Sequence, residues 1–438
     1  MTQKKWGIIG GGIMGMTLAH RLAQQGYKVT IFEAAPDLGG LASAWKVNGF
    51  VWDKFYHVIL LSDLRTRSML KEFNLDDKIN WVETKTGFFT DGKLYSMSNS
   101  IEFLKFPPLN LMDKFRLGLT IFVASKLKNW QRLENIPVAT WLKRWSGENT
   151  FNKIWLPLLR AKLGDNYLQT SAAFIWATIQ RMYAARRSGL KKEMFGYVQG
   201  GYAQILESFK NKLISDGVEI KVNHVAKKIQ SGIDDMPRAI FANGYEAVFD
   251  HIIVTLPSGL AADLCQEISS EETKKLKNTE YLGVVCASVV LNRSISPFYV
   301  TNITDTWVPF TGVIEMSALV DKKTFGGKTL IYLPKYLNPG DSMFNASNEE
   351  IEKLFLDALK KMYPFITESN IEYVGIAKAR QVFALSTLNY SRNLPPVKTT
   401  IPGVYILNSS HITNGTLNVN ETIQVAETKL NEILNAHE

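Results

Sequence analysis

Three glycines near the start of the chain have the spacing of a loop that binds the pyrophosphate of a dinucleotide. Gly10, Gly12 and Gly15 form a Gly-x-Gly-x-x-Gly motif, and Glu33 follows 23 residues after Gly10. In such a loop the first glycine permits a tight turn and the second lets the backbone approach phosphate, while the third lets a helix pack closely on a strand. The acid can then accept hydrogen bonds from ribose hydroxyls, and it would repel a 2′-phosphate.

The elements around these residues are the ones that such a loop needs. Apolar residues 6–9 predict a short strand, apolar spacing over 16–25 predicts a helix ended by Gly26, and residues 27–32 predict a second strand. The helix N-terminus would direct N–H groups and the positive end of its dipole at the phosphates. An isolated motif can also be an ordinary glycine turn, but strand, helix, second strand and acid in register favour a nucleotide site.

A second pair of glycines, Gly39 and Gly40, begins six residues after Glu33 and would let the backbone approach a bound cofactor again. With this pair the chain resembles FAD-binding proteins of the flavin amine oxidase superfamily, which includes protoporphyrinogen oxidases, phytoene-type desaturases and, more distantly, UDP-galactopyranose mutases. The resemblance implies FAD as the cofactor. The residues that it implies for FAD binding are Gly10, Gly12, Ile13, Met14, Gly15, Glu33, Ala34, Gly39, Gly40, Leu41, Ala42, Ser43, Tyr56, Val225, Ser409 and Val419.

The resemblance continues in scattered blocks along the chain, at residues 195–202, 251–257 and 402–407, and Val225 would meet the adenine through its backbone. Three positions depart from the family pattern. Leu41 stands where an arginine often contacts phosphate, Asn408-Ser409 replaces Gly-Asp or Gly-Glu, and residues 417–420 replace a Gly-Ala pair. The Ser409 hydroxyl would have to substitute for the missing acid.

The order of the elements predicts an α/β fold. Three α/β segments lie at the start, middle and end of the chain, and two unlike segments separate them. We therefore expect a Rossmann-like FAD-binding domain built from three separated segments, residues 1–78, 196–261 and 386–438, with an inserted α+β substrate domain. The substrate domain would consist of a mostly helical part, residues 79–195, and a mixed part, residues 262–385.

Candidates for the reaction centre lie in residues 49–57. In proteins of this class the flavin takes a hydride from a substrate carbon, so the protein mainly orients the substrate, excludes water and sets the electrostatics. This segment matches the place where related chains run past the flavin, which makes Asp53, Tyr56 and His57 candidates for contact with it. His57 is the catalytic candidate, and the alternative is a structural histidine held by hydrogen bonds.

Two further side chains are candidates for the chemistry. Glu315 ends an apolar stretch and would bind a substrate amine or act as a base, unless it is the solvated end of a strand. Lys162 is a candidate because amine oxidases place a lysine near the flavin N5, and a surface lysine is the alternative. The sequence contains no recognisable nucleophile triad or metal motif, and Cys265 and Cys286 form no Cys-x-x-Cys pair, so no metal is expected.

Composition sets broad limits on the class of protein. The 438 residues carry 50 basic and 41 acidic side chains, a net charge of +9, and 46% of them are hydrophobic, as in a globular protein. Without a recognised motif this charge gives little support to nucleic-acid binding. Sparse cysteines, no cleavable leader and no apolar stretch long enough to span a bilayer predict a cytoplasmic protein.

Two basic clusters could bind anionic partners, with a solvated helix face as the alternative in both cases. The first would hold a phosphate group, and the second flanks apolar residues 117–124 as in an interfacial helix. The first cluster consists of Arg181, Arg186, Arg187, Lys191 and Lys192, and the second of Lys114, Arg116, Lys126 and Lys128.

The leading hypothesis is an FAD-dependent oxidoreductase that removes a hydride from an amine or a saturated C–C or C–N bond of a sizeable, largely apolar substrate. Its partners would be this small molecule and an unidentified electron acceptor, with peripheral contact to a membrane as a further prediction. One alternative is an isomerase similar to UDP-galactopyranose mutase, although the mutases carry a more histidine-rich flavin loop and His57 stands alone here. A flavin-binding scaffold without turnover is the other alternative.

Overall fold

The computed structural model describes residues 3–184 and 193–435. In these ranges the strands are β1 (Lys5–Ile9), β2 (Lys28–Phe32), β3 (Ala44–Val47), β4 (Phe50–Asp53), β5 (Ile59–Leu60), β6 (Ile79–Glu83), β7 (Thr86–Thr90), β8 (Lys93–Ser96), β9 (Met194–Val198), β10 (Glu219–Lys221), β11 (Ala226–Gln230), β12 (Arg238–Phe241), β13 (Glu246–Val248), β14 (His251–Val254), β15 (Tyr281–Leu291), β16 (Val300–Ile303), β17 (Gly312–Glu315), β18 (Thr329–Leu337), β19 (Ile371–Ala384) and β20 (Val404–Ile406). The α-helices are α1 (Ile13–Gln24), α2 (Leu64–Glu72), α3 (Ser100–Lys105), α4 (Leu111–Lys126), α5 (Val138–Thr150), α6 (Leu156–Leu163), α7 (Ala172–Ala184), α8 (Gly201–Ser215), α9 (Ser258–Leu264), α10 (Ser270–Lys277), α11 (Asn348–Met362), α12 (Tyr390–Asn393) and α13 (Val419–Asn435).

Five parallel strands form the sheet that carries the glycine motif, in the order β10-β2-β1-β14-β20. β1 lies in the middle, and four of its five residues are buried, as expected of a parallel sheet that is covered on both faces. The strands come from three separated stretches of the chain, which hold β1 and β2, β10 and β14, and β20. The predicted fold class is therefore confirmed, while the residue boundaries between segments stay predictions.

Helix α1 shares one core with this sheet, in which its residues Met16, Leu18 and Leu22 lie with Ile8 of β1 and Ile31 of β2. The helix begins at Ile13, three residues before its predicted start, because Gly12 already has the extended backbone of an N-cap. After its end, Gly26 has a φ of +83°, a conformation that glycine adopts without steric cost.

A second, mixed sheet has seven strands in the order β19-β15-β18-β17-β16-β7-β8. All eleven residues of β15 are buried, because both faces of the sheet are covered. One face packs against α11, which begins at a capping box of Ser347 and Glu350 and contributes Phe355. The other face packs against the end of β4 and the loop after it, which contribute Trp52 and Tyr56.

Helices α3 to α7 form a layer with a core of its own, in which Leu117, Trp141 and Trp155 are buried. Leu282 of β15 and Phe383 of β19 belong to the same core, so the layer and the mixed sheet pack together. β7 and β8 join the sheet from residues predicted to be mostly helical. Across the described part of the chain, no helix has the length and apolar character needed to cross a bilayer.

A charged network joins the three stretches of the parallel-sheet domain at α1. His20 is fully buried between the carboxylates of Glu72, at 2.8 Å, and Asp216, at 2.9 Å. Arg21 forms ion pairs of 2.7 Å with both Glu72 and Glu427. Because Glu72 ends α2, Asp216 follows α8 and Glu427 lies on α13, the network connects every stretch to the same helix. Burial opposes ionisation of Glu72, but hydrogen bonds from Arg21 and His20 outweigh it and lower its pKa to about 2.

We predict that Glu72→Gln lowers the free energy of unfolding by about 2 kcal/mol at pH 7, because it removes the charge that pairs with the half-buried Arg21 guanidinium. The folded-state pKa lies below the ordinary value of 4.5, so the carboxylate stabilises the fold above that pH and loses this effect as the pH falls towards 2. Urea unfolding measured at pH 7 and at lower pH should show the two proteins converging over that window. Glu271→Gln, at an exposed ion pair with Lys275, is the control, and an equal loss in both variants would contradict the role of the network.

Candidate active site

The glycine loop places α1 in direct contact with the end of β1. Gly10 has a φ of +108°, and a Cβ added there would lie 2.4 Å from the Thr255 hydroxyl oxygen. A Cβ at Gly15 would lie 1.9 Å from the Gly10 carbonyl oxygen. Because no side chain fits in that space, the helix reaches this position only with glycine at residue 15.

The N-terminus of α1 is shaped to receive an anion. Its N-cap, Gly12, has no side chain to accept a hydrogen bond from the first turn, and Ile13, Met14 and Gly15 are buried. Buried helix ends of this kind need a partner for their N–H groups, and a phosphate supplies one. The structure thus brings Ile13 and Met14 to the predicted pyrophosphate position.

The second glycine pair forms the other side of the same cradle. Gly39 forms a parallel bridge with Gly12 and donates its N–H to the Gly11 carbonyl at 2.8 Å. A Cβ at Gly40 would lie 3.3 Å from the Gly12 Cα, so the two backbones approach without side chains between them. After Gly40 the chain turns through Leu41 and Ala42 to Ser43. The Ser43 carbonyl then accepts the Lys54 N–H at 3.0 Å, which links this turn to the end of β4.

Glu33 is held at the end of β2 by two backbone donors. One carboxylate oxygen accepts the Gly11 N–H at 2.7 Å, and the other accepts the Ala35 N–H at 2.8 Å. Each oxygen retains a lone pair that can accept a ribose hydroxyl. Ala34, the next residue, is exposed at the rim.

The stretch that ends in Val225 lies beside Glu33, because His224 donates its N–H to the Glu33 carbonyl at 2.9 Å. Val225 is half-exposed, and its own carbonyl accepts the Ala242 N–H at 2.8 Å. Val225 therefore lies next to Glu33 in the fold, and its contact with adenine stays a prediction.

The last stretch closes the carboxyl edge of the sheet through Asn408. Its side-chain amide donates to the Leu256 carbonyl at 2.8 Å, and its oxygen accepts the Ser410 N–H at 2.9 Å. The residue that replaces the family glycine thus ties the end of β20 to the residues after β14. Ser409, which is half-buried, begins a short turn beside it. Val419 is the first residue of α13. Val419 and Ile13 line one small cavity together with Tyr202.

Asp53 anchors the loop that runs from β4 towards the mixed sheet. Its carboxylate accepts the Tyr202 N–H at 2.9 Å in the first turn of α8, and its carbonyl accepts the Tyr332 hydroxyl at 2.6 Å. Burial raises the pKa of Asp53 to about 8, against the opposing effect of the Tyr202 N–H. These contacts make Asp53 a positioning residue for the loop.

His57 lies on the same loop with its ring 4.8 Å from that of Tyr202. Its Nδ1 is 2.9 Å from the Phe55 carbonyl, to which it donates, and 3.9 Å from the Asp53 carboxylate. Burial lowers the pKa of His57 to about 4, against the effect of the Phe55 carbonyl, so the imidazole is neutral at pH 7. The ring is therefore held by a hydrogen bond, as the structural alternative required, while Nε2 keeps a lone pair that can accept a proton.

Beyond His57 the structure brings together Tyr56, Tyr336 and Lys162. The hydroxyls of Tyr56 and Tyr336 are 3.0 Å apart. The Lys162 Nζ lies 3.2 Å from the centre of the Tyr336 ring and 5.1 Å from that of Phe383. Within the described ranges no carboxylate forms an ion pair with Lys162, and burial lowers its pKa to about 7. Lys162 is therefore half-buried against aromatic rings, and the surface-lysine alternative is wrong.

Glu315 does not join this centre. It follows Val313 by two residues on β17 and so faces the α11 side of the sheet, whereas Ile314 faces Tyr332. Its carboxylate accepts the N–H groups of Ile295, at 3.3 Å, and Ser296, at 3.0 Å. The side chain is 1% exposed and burial raises its pKa, so the alternative of a solvated strand end is also wrong.

Of the predicted phosphate-binding cluster, Arg181 forms an ion pair of 3.0 Å with Asp63. Arg186, Arg187, Lys191 and Lys192 lie outside the described residues. Among the residues that are described, no group of His, Cys, Asp or Glu side chains could hold a metal ion.

Residues 13–414 match the family model of flavin containing amine oxidoreductases. The chain belongs to this family. Flavin is accordingly the cofactor that the family implies, and its class of chemistry is oxidation–reduction. The glycine cradle fits such a group, since its bare helix terminus and close backbone contacts leave the space that a side chain would fill.

Curated relatives are similar over parts of the chain. A 4,4'-diapolycopen-4-al dehydrogenase of Metabacillus indicus is 25% identical over 57% of this chain and 55% of its own length. A 15-cis-phytoene desaturase of an Oncidium hybrid cultivar is 20% identical over 82% of this chain and 64% of its own length. The chain thus spans between about half and two thirds of these relatives.

Solved structures share the fold over nearly the whole chain. A putative protoporphyrinogen oxidase from Exiguobacterium sp. 255-15 has a TM-score of 0.77 at 17% identity, with 99% of both chains covered. A reduced UDP-galactopyranose mutase has a TM-score of 0.74 at 16% identity, with 99% of this chain and 96% of that chain covered. At these identities the likeness concerns the fold alone.

The sequence analysis did not identify Tyr336 and Phe383, the two aromatic residues that lie against Lys162 in the candidate centre. A signal for the first was present, because Tyr332 and Tyr336 are four residues apart on a strand and so share a face. No comparable signal pointed to Phe383, whose strand β19 was not predicted. Asn408 was treated as a departure from the pattern, although its amide satisfies two backbone groups that glycine would leave open.

We predict that Gly15→Ala abolishes flavin binding, because the new methyl group would overlap the Gly10 carbonyl and push α1 away from β1. Absorbance of the purified protein near the flavin bands, with titration of added FAD, measures the loss. Gly118→Ala is the matched control, since a Cβ there meets nothing within 4 Å. Flavin content equal to that of the wild type in the Gly15 variant would refute the assigned geometry.

We predict that Glu315→Ala lowers the free energy of unfolding by about 2 kcal/mol, because the N–H groups of Ile295 and Ser296 lose their buried acceptor. Glu315→Gln retains an amide oxygen as acceptor and should cost less and keep turnover. A Gln variant that folds normally but has lost turnover would instead support the predicted catalytic role of Glu315. Urea unfolding and steady-state rates, measured on the same preparations, distinguish the two results.

Proposed function

We propose that the chain is an FAD-dependent oxidoreductase that removes a hydride from an amine or a saturated C–C or C–N bond of a sizeable, largely apolar substrate. The observation that carries this proposal is the half-buried Lys162 amine, which lies over the Tyr336 ring beside Tyr56 without an ion-pair partner among the described residues. An unpaired, desolvated amine among aromatic rings suits the proton transfers of amine oxidation and disfavours a strongly charged substrate.

FAD, as the particular flavin, is supported by the elements of the cradle. Glu33 would bind the ribose hydroxyls, the N-terminus of α1 would hold the pyrophosphate, and the backbone near Val225 would meet the adenine. The start of α13 at Val419 would direct N–H groups at the flavin pyrimidine, where the positive end of a helix dipole favours negative charge. A dinucleotide accounts for all of these positions, whereas a mononucleotide would use only part of them.

When bound, FAD would supply the chemistry of accepting a hydride from a substrate carbon. The chain's own residues would orient the substrate beside the Lys162 amine and the rings of Tyr56 and Tyr336 and keep water out. With a pKa near 7, Lys162 can take the proton from a substrate ammonium group, which leaves the nitrogen lone pair free to form the C=N bond as the hydride departs. His57, neutral at pH 7, adds no positive charge beside the reacting carbon.

The first test of the proposal is the absorbance spectrum of the purified protein with mass analysis of the cofactor that it releases on denaturation. Release of FAD, followed by turnover of amines or polyprenoids with an artificial electron acceptor, would support it. Activity towards a nucleotide sugar that requires prior reduction with dithionite would favour the isomerase alternative instead. Bound FAD without turnover in either assay would indicate a scaffold.

We predict that kcat/KM for an amine substrate rises with pH through an apparent pKa near 7, because only the neutral Lys162 accepts a proton. Lys162→Met should remove this limb and lower the rate on the order of a hundredfold, whereas Lys227→Met, at an exposed lysine, should change neither. The folded pKa of Lys162 lies below its ordinary 10.5, so its contribution to stability should rise as the pH increases from about 7 to 10.5. A pH profile unchanged in the Lys162 variant would exclude it as the base.

A further inference from the structure

Helices α3 and α4 expose an unusual number of apolar side chains. Of the twenty large hydrophobic residues that are exposed in the described part of the chain, seven lie between residues 101 and 122. Their exposed fractions range from 37% to 75%. We call them the α3–α4 surface, and they are Ile101, Leu104, Leu111, Met112, Phe115, Leu119 and Phe122.

Helix α4 is apolar on two opposite faces. Leu117 and Ala124 face the core of the helical layer, while Leu111, Phe115 and Phe122 recur at helical spacing on the opposite, exposed face. The predicted apolar stretch 117–124 therefore contributes to both faces. A helix of a soluble globular protein normally carries polar side chains on its outer face, so the solvated-face alternative does not describe α4.

Basic side chains accompany this surface. Residues 101–128 contain five lysine or arginine residues and two acids. Both acids are engaged within the fold, since Glu102 accepts hydrogen bonds from Ser96 and Ser98 and Asp113 is buried against Asn149 and Thr150. The basic residues of this stretch are Lys105, Lys114, Arg116, Lys126 and Lys128.

One of the lysines has the contact expected of an interfacial helix. Lys126 lies with its Nζ 5.6 Å from the centre of the exposed Phe122 ring, so that its charge sits at the edge of the apolar face. Lys114 is buried and donates to the Leu104 carbonyl at 2.7 Å, so it holds the end of α3 against α4 and is not part of the basic border. Apolar side chains bordered by lysines match the acyl boundary and the phosphate layer of an anionic bilayer.

We propose that the α3–α4 surface binds the interface of an anionic phospholipid membrane, with its apolar side chains in the acyl boundary and its lysines among the phosphates. Because none of the described helices can span a bilayer, this attachment would be to one leaflet. The α3–α4 surface contains no residue of the candidate active site, so its binding to a membrane does not depend on the proposed reaction. A bilayer suits this surface better than a second copy of the chain, because the excess positive charge of the surface would repel the same charge on the second copy.

Sedimentation with vesicles tests the proposal on the whole 438-residue chain. Vesicles of phosphatidylcholine alone and of phosphatidylcholine mixed with phosphatidylglycerol should both bind it, and the anionic mixture should bind it more tightly. Phe115→Ser with Phe122→Ser should weaken partitioning into the vesicles at least about tenfold, because two rings that would be buried in the acyl boundary are lost. Lys126→Glu with Lys128→Glu should instead abolish the preference for anionic vesicles and its sensitivity to salt.

Leu354→Ser with Phe365→Ser is the matched control, since both side chains are 45% exposed and lie on or beside α11 rather than on this surface. Circular dichroism confirms that each variant folds. Wild-type protein that stays in the supernatant with both vesicle types would overturn the proposal, as would equal sedimentation of the double Phe variant. A lipid-free wild-type dimer that the double Phe variant converts to monomer would also overturn it, because a second copy would then cover the surface.

Discussion

The contact between residue 15 and the Gly10 carbonyl is the constraint on which the site depends. A Cβ would come within 1.9 Å of that oxygen, so only glycine lets α1 reach the carboxyl end of β1. The helix then presents an uncapped N-terminus at the sheet edge where Glu33, Gly39 and Asn408 also lie. Since a parallel sheet collects its strand ends on one edge, three distant stretches of the chain meet at that edge. A displacement of the helix would therefore move its N-terminus away from all of these groups at once.

Local patterns allowed the sequence to predict much of the fold. The strand over residues 6–9, the helix ended by Gly26 and the strand over 27–32 each follow from neighbouring residues, and all three are present in the structure. β19 escaped prediction because Gly375, Lys378 and Arg380 interrupt its apolar alternation. Its strand character comes from the long ladder that it forms with β15, about ninety residues away in the chain, and no local pattern reports such a partner.

The reaction centre was less predictable than the cradle for the same reason. The cradle follows from residues 10–43 alone, whereas Lys162, Tyr336 and Tyr56 come from a helix, a strand and a loop that only the tertiary fold brings together. Glu315 shows how fine the distinction is. It lies one residue beyond Ile314, which faces the candidate centre, and the alternation of side chains on a strand places Glu315 on the opposite face. Its residue type made Glu315 a candidate base, but its position on the strand places its side chain away from the candidate centre.

The ionisable groups around this centre share one electrostatic property. Burial raises the pKa of Asp53 and lowers those of His57 and Lys162, so each group is shifted towards its uncharged form. A charged substrate that enters such a site loses its hydration without gaining an opposite charge as a partner. The penalty would disappear if the substrate transferred its proton to Lys162. A largely apolar substrate meets no such penalty. A preference for apolar substrates would also suit the α3–α4 surface, because apolar molecules accumulate in a bilayer and an enzyme attached to one leaflet would encounter them there.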